Sequence, residues 1–178
     1  MPSSKKTTLK KLSEFIIRAE SLSLGSHDFD YCLNDAFFTF FGLSEIIING
    51  EIAVSLKLTK HSNMLHLQFK LSGNVTTPCD RCLEPLEIEI KGEPTLTVKY
   101  GEELLEETDE IMVIPNGEKE LDISSFLYET VYLLIPQRNI HKKEQCNPEV
   151  IKKLNTLIVK EKSPNNPQWD ILKKIKNK

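Results

Sequence analysis

The heptapeptide Cys79-Asp80-Arg81-Cys82-Leu83-Glu84-Pro85 is the segment from which the organisation of this chain can be inferred. Two cysteines three positions apart in a turn can present both thiolates to one metal ion. Two further cysteines are present, and one of them, Cys146, lies five positions after His141. We therefore predict a Cys3His ligand set made of Cys79, Cys82, His141 and Cys146. A shared metal ion would join two parts of the chain that are far apart in sequence.

Other interpretations of the cysteine pair stay open at this point. A thioredoxin-like oxidoreductase would place the pair at the start of a helix, where the helix dipole lowers a thiol pKa. Here Pro85 and a strand pattern follow, which disfavours that class. The pair can also be metal-free, because Leu83 stands where a zinc knuckle usually has glycine, and because His-x4-Cys is not a compact second pair. If metal is bound, we expect structural zinc, since four protein ligands leave no open position for catalysis.

Composition and charge indicate one domain followed by a tail. The 178 residues are 39% hydrophobic and 28% charged, as in ordinary globular proteins. No apolar run approaches the roughly 20 residues that span a bilayer, and the basic start of the chain lacks a signal-peptide core. We therefore expect a cytoplasmic protein with reduced thiols and no membrane partner. Residues 137–178 carry 11 Lys+Arg against 4 Asp+Glu, a net charge of +7, whereas residues 1–136 carry 12 against 22, a net charge of −10.

Alternating apolar and polar residues predict most of the architecture. Four segments have a period of two, which indicates an antiparallel sheet or meander with one wet face: 52–58, 65–71, 86–90 and 96–100. The cysteine pair falls in the turn between the second and third segments. Shorter strands are predicted at 14–19, 27–33 and 111–114, with Cys32 as a core residue of its strand.

One helix is predicted to cover the apolar face of this sheet. Its apolar residues recur with helical spacing, at Ile123, Phe126, Leu127, Val131 and Leu134. Asp122 or Ser124 can cap its start, and Pro136 ends it. The predicted fold class is therefore α+β: an antiparallel β-sheet or meander, one amphipathic helix, a Cys/His cluster and a basic helical C-terminal tail. We predict a sheet domain at residues 1–147 and the tail, with its proline-containing linker, at residues 148–178.

The tail is the predicted partner-binding segment. A helix is expected from Pro148 to about Val159, then a linker, then a short helix in which lysines follow an apolar stripe. Such a helix is too short to be stable alone in water, so it must dock on its own domain or fold on a partner. The candidate partner-binding residues are Trp169, Leu172, Lys173, Lys174 and Lys176.

No catalytic machinery is evident in the sequence. The segment from Gly101 through Glu120 contains eight acidic residues, which favours a solvated loop over a Mg²⁺ site. The chain has no glycine-rich phosphate loop, nucleophile elbow or Ser/His/Asp spacing. We therefore name no catalytic residue.

Three motifs resemble the YceD family, the large ribosomal RNA subunit accumulation proteins of bacteria and plastids. They are Cys79-Asp80-Arg81-Cys82-Leu83-Glu84-Pro85, then Leu134-Ile135-Pro136 followed by His141 and Cys146, and finally Asn166-Pro167-Gln168-Trp169-Asp170-Ile171-Leu172-Lys173-Lys174-Ile175-Lys176. Two points depart from the family pattern: the linker Pro164-Asn165-Asn166-Pro167 is one residue longer, and Arg138-Asn139 replaces a frequent proline. The resemblance implies a non-enzymatic role in the accumulation of large-subunit ribosomal RNA.

We therefore expect a factor for large ribosomal subunit assembly. Its expected partner is a large-subunit ribosomal RNA precursor or a large-subunit ribosomal protein, with no small-molecule substrate. Two other classes stay open. One is an enzyme, either a metal-dependent nuclease that uses the acidic loop or a thiol oxidoreductase. The other is a protein-binding adaptor without RNA contact.

Overall fold

A computed structural model describes residues 13–43, 46–101, 110–142 and 145–157. Within these ranges the elements are the strands β1 (Ile16–Ile17), β2 (Gly25–Leu33), β3 (Asn49–Lys60), β4 (Met64–Pro78), β5 (Pro85–Gly92), β6 (Thr95–Gly101), β7 (Ile111–Pro115) and β8 (Leu121–Asp122), and the helices α1 (Asp35–Phe40), α2 (Ser124–Leu134) and α3 (Pro148–Leu157). The predicted α+β class is confirmed.

The main sheet is an antiparallel meander with one parallel strand at its edge. Its order is β2-β3-β4-β6-β7, and β5 pairs with β4 beside β6. Strands β5 and β6 follow one another along the same edge of β4, because Gly92 pairs with Leu71 and Thr95 pairs with Gln68. The exception is β7, which runs parallel to β6. Because the two strands are parallel, Ile111 at the start of β7 pairs with Thr97 near the start of β6, and Pro115 at its end pairs with Gly101.

One face of this sheet is buried and the other is wet, as the period of two predicts. In the middle of β4, Leu65, Leu67 and Leu71 are at most 1% exposed, while Gln68 and Lys70 between them are exposed. Helix α2 contributes Leu127 and Val131 to the same core cluster. The ring centroids of Phe126 and Phe69 are 5.1 Å apart, so α2 packs on the apolar face of β4.

Helix α2 has Ile123, rather than the predicted Asp122 or Ser124, at its N-cap position, and Ile123 makes no side-chain cap bond. The Ser124 backbone N–H donates to Oδ1 of Asp122 at 2.8 Å, which satisfies one of the free N–H groups of the first turn. The helix ends at Leu134, two residues before Pro136. At that end Gly92 permits close approach to the sheet, since a Cβ added there would lie 2.7 Å from Cδ1 of Leu134.

Two predictions for the N-terminal third differ from the structure. The predicted strand at 14–19 is only two residues long, because its partner β8 offers just two residues for pairing. Cys32, predicted in the core, is exposed on the wet face, where its Sγ lies 3.6 Å from Oε1 of Glu51. The period of two explains the error: Cys32 shares its face with Asp28 and Asp30, while Leu33 is buried.

The first part of the predicted tail is a helix that contacts the body. Helix α3 starts at Pro148, and the side chains of Val150 and Ile151 pack beside the cysteines. The division at residues 147 and 148 stays a prediction, and residues 158–178 lie outside the described part of the chain. None of the described helices combines the length and the apolar character that crossing a membrane requires.

Candidate metal centre

The four predicted ligands come together at one end of the sheet. Cys79 and Cys82 lie in the turn between β4 and β5, and His141 and Cys146 lie between α2 and α3. Their ligand atoms all lie within 4.8 Å of one another. Cys79 Sγ is 4.0 Å from Cys146 Sγ, and Cys82 Sγ is 3.4 Å from Nδ1 of His141. We call these four residues the Cys3His cluster.

These distances suit a tetrahedral metal site. Two sulfurs bound to one zinc ion at ~2.3 Å are ~3.8 Å apart in a tetrahedron, and a sulfur and a nitrogen are slightly closer. The three cysteines are free thiols with at most 7% exposure, so they form a buried donor set. The Cys3His cluster can therefore hold a metal ion.

Leu83 adopts the backbone conformation that a metal-binding cysteine turn needs. Its φ is 62°, in the left-handed region that glycine usually occupies. The Leu83 N–H donates to the Cys79 carbonyl at 2.8 Å, and the Cys79 N–H donates to the Glu84 carbonyl at 2.9 Å, which closes the turn. The absence of glycine at this position therefore leaves the geometry of the turn intact, at the cost of local strain.

A backbone carbonyl orients the ring of His141. Its Nε2 lies 3.1 Å from the Pro85 carbonyl oxygen, which can only accept a hydrogen bond. The proton of a neutral ring therefore belongs on Nε2, and the lone pair of Nδ1 points toward Cys82. Metal-binding histidines are commonly held by such a bond from their other nitrogen.

Two further contacts join the halves of the centre, and both were missed from sequence. Asp80 and Asn139 exchange hydrogen bonds: the Asp80 N–H donates to the Asn139 carbonyl at 2.7 Å, and the Asn139 N–H donates to the Asp80 carboxylate. Asn147 donates from Nδ2 to Oε1 of Glu84 at 3.0 Å, and its Oδ1 accepts from the Glu149 N–H, as a helix cap does. Only the capping role had a sequence signal, an asparagine directly before Pro148.

Hydrogen bonds from backbone N–H groups lower the pKa of two thiols of the cluster, Cys79 and Cys82. Burial acts to raise the pKa of Cys79, but hydrogen bonds from the backbone of His141, Arg81 and Cys82 outweigh it and lower the pKa to about 6. Burial also acts to raise the pKa of Cys82. Hydrogen bonds from the backbone N–H groups of Asn147 and Glu84 act in the opposite direction, and the net effect is a lowered pKa.

The other two members of the cluster shift in the opposite direction. Burial, and then the nearby sulfurs, raise the pKa of Cys146. Hydrogen bonding to the Cys79 sulfur raises the pKa of His141. Without metal, Cys146 and His141 therefore hold their protons more strongly than they would in water, while Cys79 and Cys82 lose theirs more easily.

Apolar side chains pack against the Cys3His cluster. Its apolar neighbours come from three separate parts of the chain: Leu86, Ile140, Val150 and Ile151. Three of the four ligands are buried, and His141 is partly buried. A metal ion held by all four side chains would have no free coordination position, so the arrangement suits a structural role.

The predicted partner-binding residues cannot be placed in the same way. Trp169, Leu172, Lys173, Lys174 and Lys176 lie outside the described residues, as does most of the acidic segment, at 102–109.

The comparisons with known proteins agree with the motifs around the cluster. The family model described as large ribosomal RNA subunit accumulation protein YceD matches residues 67–176. This range is more than half of the chain and contains all four members of the Cys3His cluster. The comparisons with curated proteins and with solved structures found no match. The chain belongs to the YceD family of large ribosomal RNA subunit accumulation proteins.

Proposed function

We propose that this protein is a non-enzymatic cytoplasmic factor that supports the accumulation of large-subunit ribosomal RNA and the assembly of the large ribosomal subunit. The family match, which spans residues 67–176, is the observation that carries this proposal. Its partner is a large-subunit ribosomal RNA precursor or a large-subunit ribosomal protein.

The Cys3His cluster serves in this proposal as a structural zinc site. Three thiolates and one imidazole are ligands that zinc takes readily in a tetrahedral site. Zinc held there would crosslink the β4–β5 turn to the segment between α2 and α3. The hydrogen bonds of Asp80 with Asn139 and of Asn147 with Glu84 already align the two halves. The closed donor set is also why we propose no enzymatic activity.

The cluster also determines where the tail leaves the body. Asn147 caps α3 and is tied to Glu84, and Val150 and Ile151 pack beside the cysteines. The direction of α3 is therefore fixed by the same contacts that form the metal centre. Loss of the metal should loosen both the β4–β5 turn and the start of the tail.

Charge favours the tail as the contact to ribosomal RNA. Residues 1–136 have a net charge of −10 and repel phosphate, whereas residues 137–178 have a net charge of +7. Lys152 and Lys153 are exposed on α3. Lys173, Lys174 and Lys176 add cationic groups near Trp169, which can stack on an unpaired base.

Recovery of bound RNA and protein from cells tests this proposal. Tagged full-length protein should co-purify with large-subunit ribosomal RNA precursors, relative to small-subunit RNA, and a version ending at residue 163 should lose most of that RNA. Binding should weaken as salt increases, because phosphate contacts release counterions. Equal recovery of both subunits' RNA, or of neither, would contradict the proposal. Recovery of ribosomal proteins alone, insensitive to nuclease, would instead support the adaptor class.

Substitution of the cysteine pair separates a structural site from an enzyme. In Cys79→Ser and Cys82→Ser variants, a structural centre should lose metal and folding stability together. A thiol oxidoreductase would keep its fold and lose only activity. The exposed Cys32, changed to serine in the same way, is the matched control and should change neither property.

A further inference from the structure

A groove on the body, away from the Cys3His cluster, has an apolar floor and an acidic rim. It has a volume of about 430 Å³ and lies between α2 and the junction of β5 with β6. Its apolar lining comes from Pro94, Phe126, Leu133 and Leu134. Leu133 is 80% exposed, so the body leaves most of this apolar side chain uncovered.

Packing contacts and a hydrogen bond fix the walls of this groove. Gly92 allows the end of α2 to approach β5, where Leu134 fills the space that a Cβ would occupy. Residues 93 and 94 separate β5 from β6, and the Pro94 carbonyl accepts a hydrogen bond from the Phe69 N–H at 2.9 Å. The ring of Phe126 packs against the ring of Phe69, with their centroids 5.1 Å apart. Both walls are therefore parts of the packed sheet and helix.

Among the residues that the structure describes, the charged side chains that line the groove are all acidic. They are Glu93, Glu110 and Glu129. Lys70 approaches this rim, with its Nζ 3.9 Å from Glu93 across an exposed and therefore weak ion pair. The segment just before Glu110 holds five more acids in sequence, at positions 102–109. An occupant of this groove should therefore be both apolar and cationic.

The C-terminal segment of the same chain has this combination of properties. Trp169, Leu172 and Ile175 recur every three residues, and lysines lie between and after them. Residues 168–178 carry four lysines against one aspartate, a net charge of +3. The acidic segment 102–109 is a poor alternative, because its charge has the same sign as the rim. An isolated helix of this length needs a surface to fold on.

The intervening chain is long enough to reach the groove. The metal centre and the start of α3 lie at the Pro85 end of β5, while the groove lies at the Gly92 end. Eight strand residues span about 25 Å, and the ten residues of α3 about 15 Å. The twelve residue steps from Leu157 to Trp169 can extend to about 40 Å. Even when α3 points away from the groove, the segment can return to it.

We propose that residues 168–178 dock into this groove of their own chain in the free protein. The indole of Trp169 and the side chain of Leu172 pack against Phe126 and Leu133, and the lysines face the glutamates of the rim. Tethering on a short linker gives the segment an effective concentration on the order of millimolar, so even a weak contact is populated. This contact is independent of the proposed function, although RNA that binds the lysines would compete with the groove for them.

Fluorescence of the full-length protein tests the contact directly, because Trp169 is the only tryptophan in the chain. Docking predicts a blue-shifted emission that moves to the position of a solvated indole in Leu133→Glu. Leu133 is too exposed for this change to unfold the body, and far-ultraviolet circular dichroism checks that the fold is kept. Leu24→Glu, at another largely exposed leucine that does not line the groove, is the matched control and should leave the emission unchanged.

Charge reversal checks the rim. The double change Glu93→Lys and Glu129→Lys should also shift the emission to the red, and adding Lys173→Glu and Lys174→Glu should restore part of the blue shift. High salt should weaken docking in the original protein. A solvated emission in the original protein, or a blue shift that survives Leu133→Glu, would overturn the proposal. A blue shift that disappears on dilution would also overturn it, since the groove would then hold the tail of a second copy.

Discussion

Replacing Leu83 by glycine should stabilise the metal-loaded protein, although it removes a whole side chain. Leu83 has a φ of 62°, and its side chain is 76% exposed. The side chain therefore contributes little burial, while its Cβ imposes the steric cost of the left-handed region. The substitution tests whether the strained turn around Cys79 and Cys82 is a real feature of the centre.

The expected gain follows from two opposing terms. Relief of the left-handed conformation contributes about 1–2 kcal/mol. Glycine is also more flexible than leucine in the unfolded chain, and this offsets about 0.4–1 kcal/mol of the stabilisation. Leu83→Gly should therefore raise the free energy of unfolding by about 0.5–1 kcal/mol. Leu83→Ala keeps the Cβ and should change it by less than about 0.5 kcal/mol, as surface substitutions usually do.

Urea unfolding at a fixed free zinc concentration measures this difference as a shift of the midpoint. Leu24→Gly is the matched control, because Leu24 is also exposed but does not have a positive φ. Leu24→Gly should lower the midpoint, because it only increases the conformational freedom of the unfolded chain and relieves no strain in the folded protein. If Leu83→Gly lowers the midpoint as much as Leu24→Gly does, the argument from backbone strain is wrong.

Three further predictions concern the core, the sheet and the thiols. Leu127→Ala should lower the free energy of unfolding by about 2–5 kcal/mol, measured in urea, because Leu127 is fully buried where α2 meets the sheet. Gly73→Ala should cost about 1–3 kcal/mol or more in the same measurement, since its Cβ would collide with the Glu51 carbonyl. Zinc binding at pH 7, measured by calorimetry in buffers of different ionisation enthalpy, should release no more than about three protons from the four ligands, because Cys79 with a pKa of about 6 is already mostly thiolate. Below about pH 6 more protons should be released, and a proton count independent of pH would contradict this assignment.

Local patterns predicted those parts of the fold in which one face of an element is buried. In β3 and β4 the period of two identified the core face, and in α2 the helical spacing identified Leu127 and Val131. The direction of β7 was not predictable, because a short apolar segment such as Ile111–Pro115 looks the same in either direction. The length of β1 depended on β8, whose two paired residues carry no distinctive sequence signal.

The metal centre was predictable in its ligands but not in its supporting contacts. Cysteine and histidine are few in this chain, so their order and spacing were enough to group Cys79, Cys82, His141 and Cys146. The Asp80–Asn139 pairing joins residues far apart in sequence through ordinary side chains, and no local pattern identifies it. In the sequence, Leu83 disfavoured a metal-binding turn, because leucine rarely adopts a positive φ. The folded turn nevertheless holds Leu83 at a φ of 62°.

Zinc X-ray absorption on the purified protein tests most directly whether the Cys3His cluster holds zinc. The predicted result is about one zinc ion per chain with three sulfur ligands at ~2.3 Å and one nitrogen ligand at ~2.0 Å. Cys32→Ser should give the same spectrum and metal content, because Cys32 is exposed on β2 and is not a member of the Cys3His cluster. Protein that folds without bound metal, or zinc coordinated by oxygen ligands or by fewer than three sulfurs, would contradict the account.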